Sequence, residues 1–166
     1  VYTVKTAVSI TKATTEEEKA RSFIKACIKS RKNYKGSGNP VMYMSEDMLT
    51  NCLLLEDTNK RVIYDTVEKL ATALRVSKIV PVPVMEDLSR VVGADTHILG
   101  GIYVNLVDYN VGADKGGAVN MFDDFDIDYN KQKYLIETRC SGALIKPYSA
   151  VAIEFVGKTA DLNAAA

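Results

Sequence analysis

The sequence predicts an α+β protein in which an α/β lobe is inserted into a β-rich lobe. Three observations predict it: an amphipathic helix near the N-terminus, strand-like alternation over 118–155, and two glycine-rich joints at 35–40 and 110–117. The joints divide the chain into three blocks, of which the first and last are expected to pair with each other. The predicted organisation is a β-rich lobe from 1–40 and 118–160, an α/β lobe from 41–117, and a tail at 161–166.

The clearest helix is predicted over 15–31. Thr15 followed by Glu18 has the spacing of a capping box, in which each residue satisfies a free backbone N–H of the other. Apolar residues then recur at the spacing of one helical face, which predicts that this face packs on a core. The apolar residues are Ala20, Phe23, Ile24, Cys27 and Ile28, and the basic residues on the opposite side are Arg21, Lys25, Lys29 and Lys32.

Shorter elements are predicted on either side of this helix. Segment 1–11 alternates loosely and is predicted to be an opening strand. Ser45 and Asp65 stand where helix N-caps are expected. Segment 79–85 is strand-like, but Pro81 with Pro83 predicts that it is a sheet edge or an exit from the sheet. Further strands are predicted at 41–44 and 102–107, whereas 86–97 shows no clear period and 110–117 is predicted to be a loop.

The last block is predicted to contain short β segments joined by tight turns. The first segment closes at Phe122, and an acidic run follows over 123–128. Segment 133–140 alternates with period two, which predicts a strand with one exposed face. Ser141 and Gly142 predict a turn, and a β-branched, apolar segment at 149–156 predicts the closing strand.

Composition excludes several classes of protein. The 166 residues are 47% hydrophobic and 25% charged, which is typical of a folded domain. Because 21 basic residues balance 21 acidic ones, the chain lacks the positive charge expected of a nucleic-acid binder. No apolar run approaches the length of about 20 residues that spans a bilayer. The predicted partners therefore include neither a sequence-specific nucleic acid nor a membrane.

The sequence also lacks recognisable catalytic and metal-binding patterns. The three cysteines are widely spaced, and His97 is the one histidine, which predicts a turn or surface role rather than a metal site. The acidic run resembles a calcium loop, but Tyr129 and Leu135 occupy the places where such a loop needs Gly and Glu. The sequence therefore predicts a protein that is not an enzyme and that has no cofactor or metal.

The last third of the chain contains a series of local motifs: the glycine-rich segment 112–117, the run 122–126, the strand 134–139, the turn 142–144, and Pro147 followed by 150–152. In these motifs the chain resembles the C-terminal portion of tailed-phage major capsid proteins of the Hong-Kong-97-type fold. It implies that 41–117 is an axial-like lobe inserted into a peripheral-like lobe. The family's N-terminal arm, extended loop and most of its spine helix have no counterpart in this interpretation.

The resemblance implies a structural subunit of a tailed-phage or prophage icosahedral capsid, which acts by self-assembly into a shell. Its partners would be copies of itself and scaffolding or other virion proteins. It would be assembled in the bacterial cytoplasm and located in the virion. Two alternatives remain open: an encapsulin-like compartment shell protein, and a small enzyme with an unrecognised carboxylate or thiol site.

Opposite charges in a neutral chain suggest where subunits would meet. Such patches steer and register repeated contacts more than they add affinity. The predicted contact residues are Arg21, Lys25 and Lys29 on the basic helix face, and Asp123, Asp124 and Asp126 in the acidic run.

Overall fold

The computed structural model describes residues 3–11, 14–85, 88–113 and 119–158. The chain divides into two compact units. The first, here called the sheet unit, comprises Val1–Asp108 and Lys146–Ala166. The second, here called the ladder unit, is Tyr109–Ile145. No helix among the described residues is both long and apolar enough to cross a bilayer.

Three α-helices and ten strands make up the described structure, a mixed α+β architecture. In chain order they are β1 (Val4–Ser9), α1 (Glu16–Ser30), β2 (Val41–Met44), α2 (Glu46–Leu53), α3 (Val67–Leu74), β3 (Ile79–Pro81), β4 (Ser89–Val92), β5 (Asp95–Val104), β6 (Tyr109–Ala113), β7 (Asn120–Asp126), β8 (Lys131–Glu137), β9 (Cys140–Leu144) and β10 (Ala150–Lys158).

The sheet unit is built on a six-stranded sheet. Five strands are neighbours in the order β1-β10-β5-β2-β3, and the sixth strand, β4, pairs with β5. Its centre is β5, which pairs antiparallel with β10 along one edge and with β4 and then β2 along the other. The parallel pairing of β1 with β10 brings the first and last described strands together, as the sequence predicts. The proline-containing β3 is an edge strand, also as predicted, since proline cannot donate to a sheet ladder.

One core lies between α1 and the sheet. Phe23 of α1 is fully buried, and its ring centroid lies 5.9 Å from that of Phe155 on β10. Met42 and Tyr103, which pair across β2 and β5, are also fully buried and belong to the same core. A Cβ at Gly101 would collide with Met42 and Phe23, so glycine lets the helix approach the sheet closely. Segments from all three predicted blocks therefore share one core.

The helix starts predicted from sequence are largely confirmed. Thr15 is the N-cap of α1, with a complete capping box to Glu18, and Ser45 is the N-cap of α2. The third helix begins one residue later than predicted, because Thr66 rather than Asp65 accepts the N-terminal backbone hydrogen bond, from Lys69.

Replacing the N-cap of α1 should weaken the sheet unit measurably. The Thr15 hydroxyl accepts from the Glu18 N–H at 3.3 Å, and the Thr15 N–H donates to the Glu18 carboxylate at 3.3 Å. We expect Thr15→Ala to lower the free energy of unfolding by about 1 kcal/mol in urea denaturation. Thr138→Ala, at an exposed threonine outside any strand, is the control and should change it little. An equal loss in both variants would contradict the capping role.

The predicted inserted lobe at 41–117 differs from the observed division of the chain. Strands β2 and β5 of that block belong to the same sheet as β1 and β10, because β5 carries partners along both edges. The separate unit instead spans Tyr109–Ile145. It includes most of 118–160, the C-terminal of the two segments that were assigned to the β-rich lobe. Among the described residues of the predicted block 118–160, only β10 joins the main sheet. The predicted tail at 161–166 lies outside the described residues.

Several local predictions in the second half are also corrected. Part of the predicted loop at 110–117 is strand β6, while 114–118 lie outside the described residues. The predicted turn at Ser141 and Gly142 is inside β9, where both residues pair with β6. The unassigned stretch at 86–97 contains β4 and the start of β5, while the predicted strand at 79–85 shortens to β3 followed by a 3-10 turn.

Candidate assembly surfaces

The ladder unit consists of two separate antiparallel pairs, β6 with β9 and β7 with β8. Segment 127–130 forms the turn between β7 and β8. Almost every residue of the four strands is exposed. The prediction that 133–140 has one exposed and one buried face is therefore wrong, because residues on both faces of β8 are exposed. The apolar alternation is present, but nothing within the described ladder unit covers either face.

One face of the β7–β8 ladder is largely apolar. Directly opposed residues of an antiparallel pair lie on the same face, and their positions alternate between faces along each strand. Met121 opposes Ile136, and Asp123 opposes Tyr134. With Phe125 and Gln132, these residues define what we call the apolar ladder face. Its large side chains are widely exposed, at 62% for Met121, 51% for Phe125, 63% for Tyr134 and 65% for Ile136.

The opposite face carries much of the predicted acidic run. Asp124 opposes Lys133 and Asp126 opposes Lys131, so each carboxylate has an ammonium group across the ladder. Asp126 forms an ion pair with Lys133 and also accepts a hydrogen bond from the Asp128 N–H at 3.1 Å. The acidic run is consequently not one continuous acidic surface, because Asp123 lies on the apolar ladder face while Asp124 and Asp126 lie among lysines.

The predicted basic face of α1 is partly engaged within the sheet unit. Arg21 donates a hydrogen bond to the Glu56 backbone carbonyl. Lys25 and Lys29 are exposed, and the described residues show no ion pair for either of them. Of the three basic residues predicted to contact another subunit, the two lysines remain available for such a contact.

A second basic feature follows the C-terminal end of α1. A cavity of about 370 Å³ is lined by Val4, Lys32, Asn33, Lys35 and Tyr148, and we call it the basic cavity. The Lys35 ammonium lies 5.3 Å from the centroid of the Tyr148 ring, within the range of a cation–π contact. The sequence predicts Lys32 on the basic side of the helix, but no pattern in it indicates that Tyr148 lines the same cavity.

A hydrogen-bonded cluster in the sheet unit holds the residues that flank the ladder unit in sequence. Asp108, which is 4% exposed, accepts from the Ser37 N–H at 2.6 Å and from the Ser37 hydroxyl at 2.7 Å. Lys146 donates to the same hydroxyl, and Asn105 donates to the Ser37 carbonyl at 2.6 Å. Hydrogen bonds from the Ser37 side chain and backbone, with Lys146 nearby, lower the pKa of Asp108. The cluster therefore fixes Asp108 and Lys146 close together.

A second cluster surrounds Glu154, a residue of β10 that is 7% exposed. One oxygen of its carboxylate accepts from Arg90 at 2.7 Å and lies 2.9 Å from Nδ1 of His97. A bulge between Ile153 and Glu154 shifts the register with β5 at this point. A cavity of about 250 Å³ adjoins the cluster, and it is lined by Leu88, Ser89, Arg90, His97, Leu99 and Glu154.

The prediction that His97 lies in a turn or on the surface is wrong, and the contacts of the cluster explain why the Glu154 carboxyl group is ionised. His97 lies within β5 and is largely buried, rather than in a turn or on the surface. Burial raises the pKa of Glu154, but hydrogen bonds from Arg90 and His97 and the nearby charges of Arg90 and Lys5 outweigh it, so the net pKa is lowered. The cluster stabilises an ionised carboxylate that joins β4, β5 and β10.

The cysteines differ in accessibility. Cys27 and Cys52 are buried, and burial raises the pKa of each thiol to about 12, so neither is a reactive thiolate at neutral pH. Cys140 is exposed on β9. Within the described ranges, no three residues of the types His, Cys, Asp and Glu are grouped as metal ligands would be.

Comparison with known proteins gives a limited match. No family model matches the sequence, and no curated protein matches it. A solved structure similar to this one is a phage-related protein from Bordetella bronchiseptica, with 15% sequence identity and a TM-score of 0.48. The match covers 90% of this chain and 55% of that one, so this chain spans about half the length of the phage-related protein.

Proposed function

We propose that this protein is a structural subunit that assembles with copies of itself, and that the assembly is the icosahedral shell of a tailed phage or prophage. The observation that carries the self-assembly is the exposure of large apolar side chains on the ladder unit. Isolated two-stranded ladders are marginally stable in water, and large exposed apolar patches mark interaction sites. Burying the apolar ladder face against another chain would stabilise both the ladder and the assembly.

The shell is proposed from the resemblance of 122–126, 134–139 and 142–144 to tailed-phage capsid proteins. Under this proposal the subunit performs no catalytic step, and its partners are copies of itself with scaffolding or other virion proteins. It is assembled in the bacterial cytoplasm and remains in the virion. An encapsulin-like compartment shell would use the same self-association, and a particle's contents, nucleic acid or protein cargo, would distinguish the two.

The proposal predicts that the apolar ladder face drives association. We expect the unaltered chain to associate weakly and in a concentration-dependent manner in sedimentation velocity. Met121→Ser with Ile136→Ser removes the two apolar side chains that lie directly opposite each other on β7 and β8. Because each buried apolar side chain contributes about 1.5–3 kcal/mol, the double variant should associate at least about tenfold more weakly.

The matched control removes equally exposed apolar side chains from the sheet unit. Leu54 and Val84 are 64% and 67% exposed, and Leu54→Ser with Val84→Ser should leave association unchanged. Circular dichroism would establish that every variant is folded. A chain that stays monomeric at all concentrations, or equal association of both double variants, would contradict the proposed function.

A further inference from the structure

Asp123 is the charged residue of the apolar ladder face. Met121 and Phe125 flank it on the same face of β7, and Tyr134 opposes it on β8. The described residues provide no ion pair for it. If the face is buried in an assembly, the carboxylate is buried with it, and a buried charge is costly unless it is paired. A partner for this face must therefore offer both apolar surface and a cation.

The basic cavity has both properties. Two of its lining residues are lysines, and neither has an ion pair with a described acidic residue. Val4, the ring of Tyr148 and the aliphatic stems of the lysines provide apolar surface around the ammonium groups. Since two ammonium groups at one cavity repel each other, an anion placed between them is stabilised.

We propose that the basic cavity of one copy receives the Asp123 carboxylate of a second copy, while the surrounding apolar ladder face packs on Val4 and Tyr148. This inference rests on the proposed self-assembly and specifies the surface that it uses. The contact is heterologous, because a ladder on one copy meets a different surface on the next, and such contacts propagate from copy to copy.

Charge and apolar character together favour this occupant over a nucleic-acid phosphate. A phosphate would satisfy the lysines, but it would leave the carboxylate on the apolar ladder face without a cation. The chain carries no net positive charge that would draw it to nucleic acid. A second copy, in contrast, satisfies both surfaces with one contact.

The test uses two complementary charge reversals in the full chain. One variant carries Asp123→Lys, and the other carries Lys32→Glu with Lys35→Glu. Each variant alone places like charges together and should associate at least about tenfold more weakly than the unaltered chain in low salt. An equimolar mixture should recover association, because Lys at 123 on one copy then meets Glu at the cavity of the other.

The mixture also separates a contact between copies from one within a chain. Within one chain, each variant keeps its own like-charge pair, so mixing would restore nothing, and that result would overturn the inference. Lys60→Glu with Arg61→Glu is the matched control, a double charge reversal at exposed residues of the sheet unit that form no ion pair with a described residue, and it should leave association intact. If Lys25→Glu with Lys29→Glu abolishes association while the cavity variant does not, the contact lies on the exposed face of α1, and the inference is wrong.

The variants at Met121 and Ile136 distinguish this inference from the proposed function. Loss of association in those variants, with no effect of any charge reversal, would overturn the cavity contact and leave self-assembly standing. Binding of a short DNA duplex that is lost on Lys32→Glu with Lys35→Glu, without a change in self-association, would assign the cavity to phosphate and overturn the inference.

Discussion

Phe23→Ala should destabilise the sheet unit by about 3–5 kcal/mol, which is a large fraction of the stability of a typical domain. The ring is fully buried, packs against Phe155 and lies close to the backbone at Gly101. The cost therefore combines lost apolar burial with the cavity that remains where the ring was. Urea denaturation followed by circular dichroism would measure the change in the free energy of unfolding.

A second phenylalanine provides the control. Phe125 is 51% exposed on the ladder unit, and Phe125→Ala in dilute solution should cost only about 1 kcal/mol, because half of its surface is already exposed in the single chain. A similar loss in the two variants would contradict the placement of α1 on the sheet.

Removing both side chains that hydrogen-bond to Glu154, Arg90 and His97, should reverse the pH dependence of its contribution to stability. In the unaltered chain its pKa is lowered, so the ionised carboxylate stabilises the fold above the ordinary Glu pKa of about 4.3, and this contribution is lost as the pH falls through the lowered value. With Arg90→Met and His97→Phe, burial would be opposed only by the more distant Lys5, and the pKa should rise. A raised pKa means that stability is lost as the pH rises.

The double variant should therefore be less stable than the unaltered chain by on the order of 3 kcal/mol at pH 7, because an unpaired carboxylate is then buried. At pH 3, where the carboxyl group is protonated in the double variant, the difference should shrink. Urea midpoints at the two pH values measure both quantities. Adding Glu154→Gln to the double variant removes the titrating group and should recover stability at pH 7. A difference independent of pH would contradict the role assigned to the cluster.

Signals between residues close in sequence predicted part of this fold, whereas contacts between residues far apart in sequence did not follow from them. Local signals were sufficient for α1 and its cap at Thr15, for the cap of α2 at Ser45, and for β2. The prolines were sufficient to place β3 at a sheet edge. Each of these depends on residues within a few positions of one another, where backbone geometry and side-chain hydrogen bonds act directly.

Contacts between residues far apart in the sequence could not be predicted from such local signals. Arg90 and His97 lie 64 and 57 residues from Glu154, and a register shift at a bulge sets where that carboxylate lies relative to β5. The basic cavity likewise joins Val4, residues after α1, and Tyr148. No periodicity connects such positions, because their proximity depends on strand order.

The sequence by itself determined the amphipathic helix, its N-cap, and the alternation of apolar and polar residues along β8. Only the tertiary structure decided that β2 and β5 share a sheet with β1 and β10, and that the alternating strands form a separate unit with both faces exposed. The physical reason is that an apolar period shows which residues share a face, whereas the packing of other strands and helices decides whether the same chain covers that face.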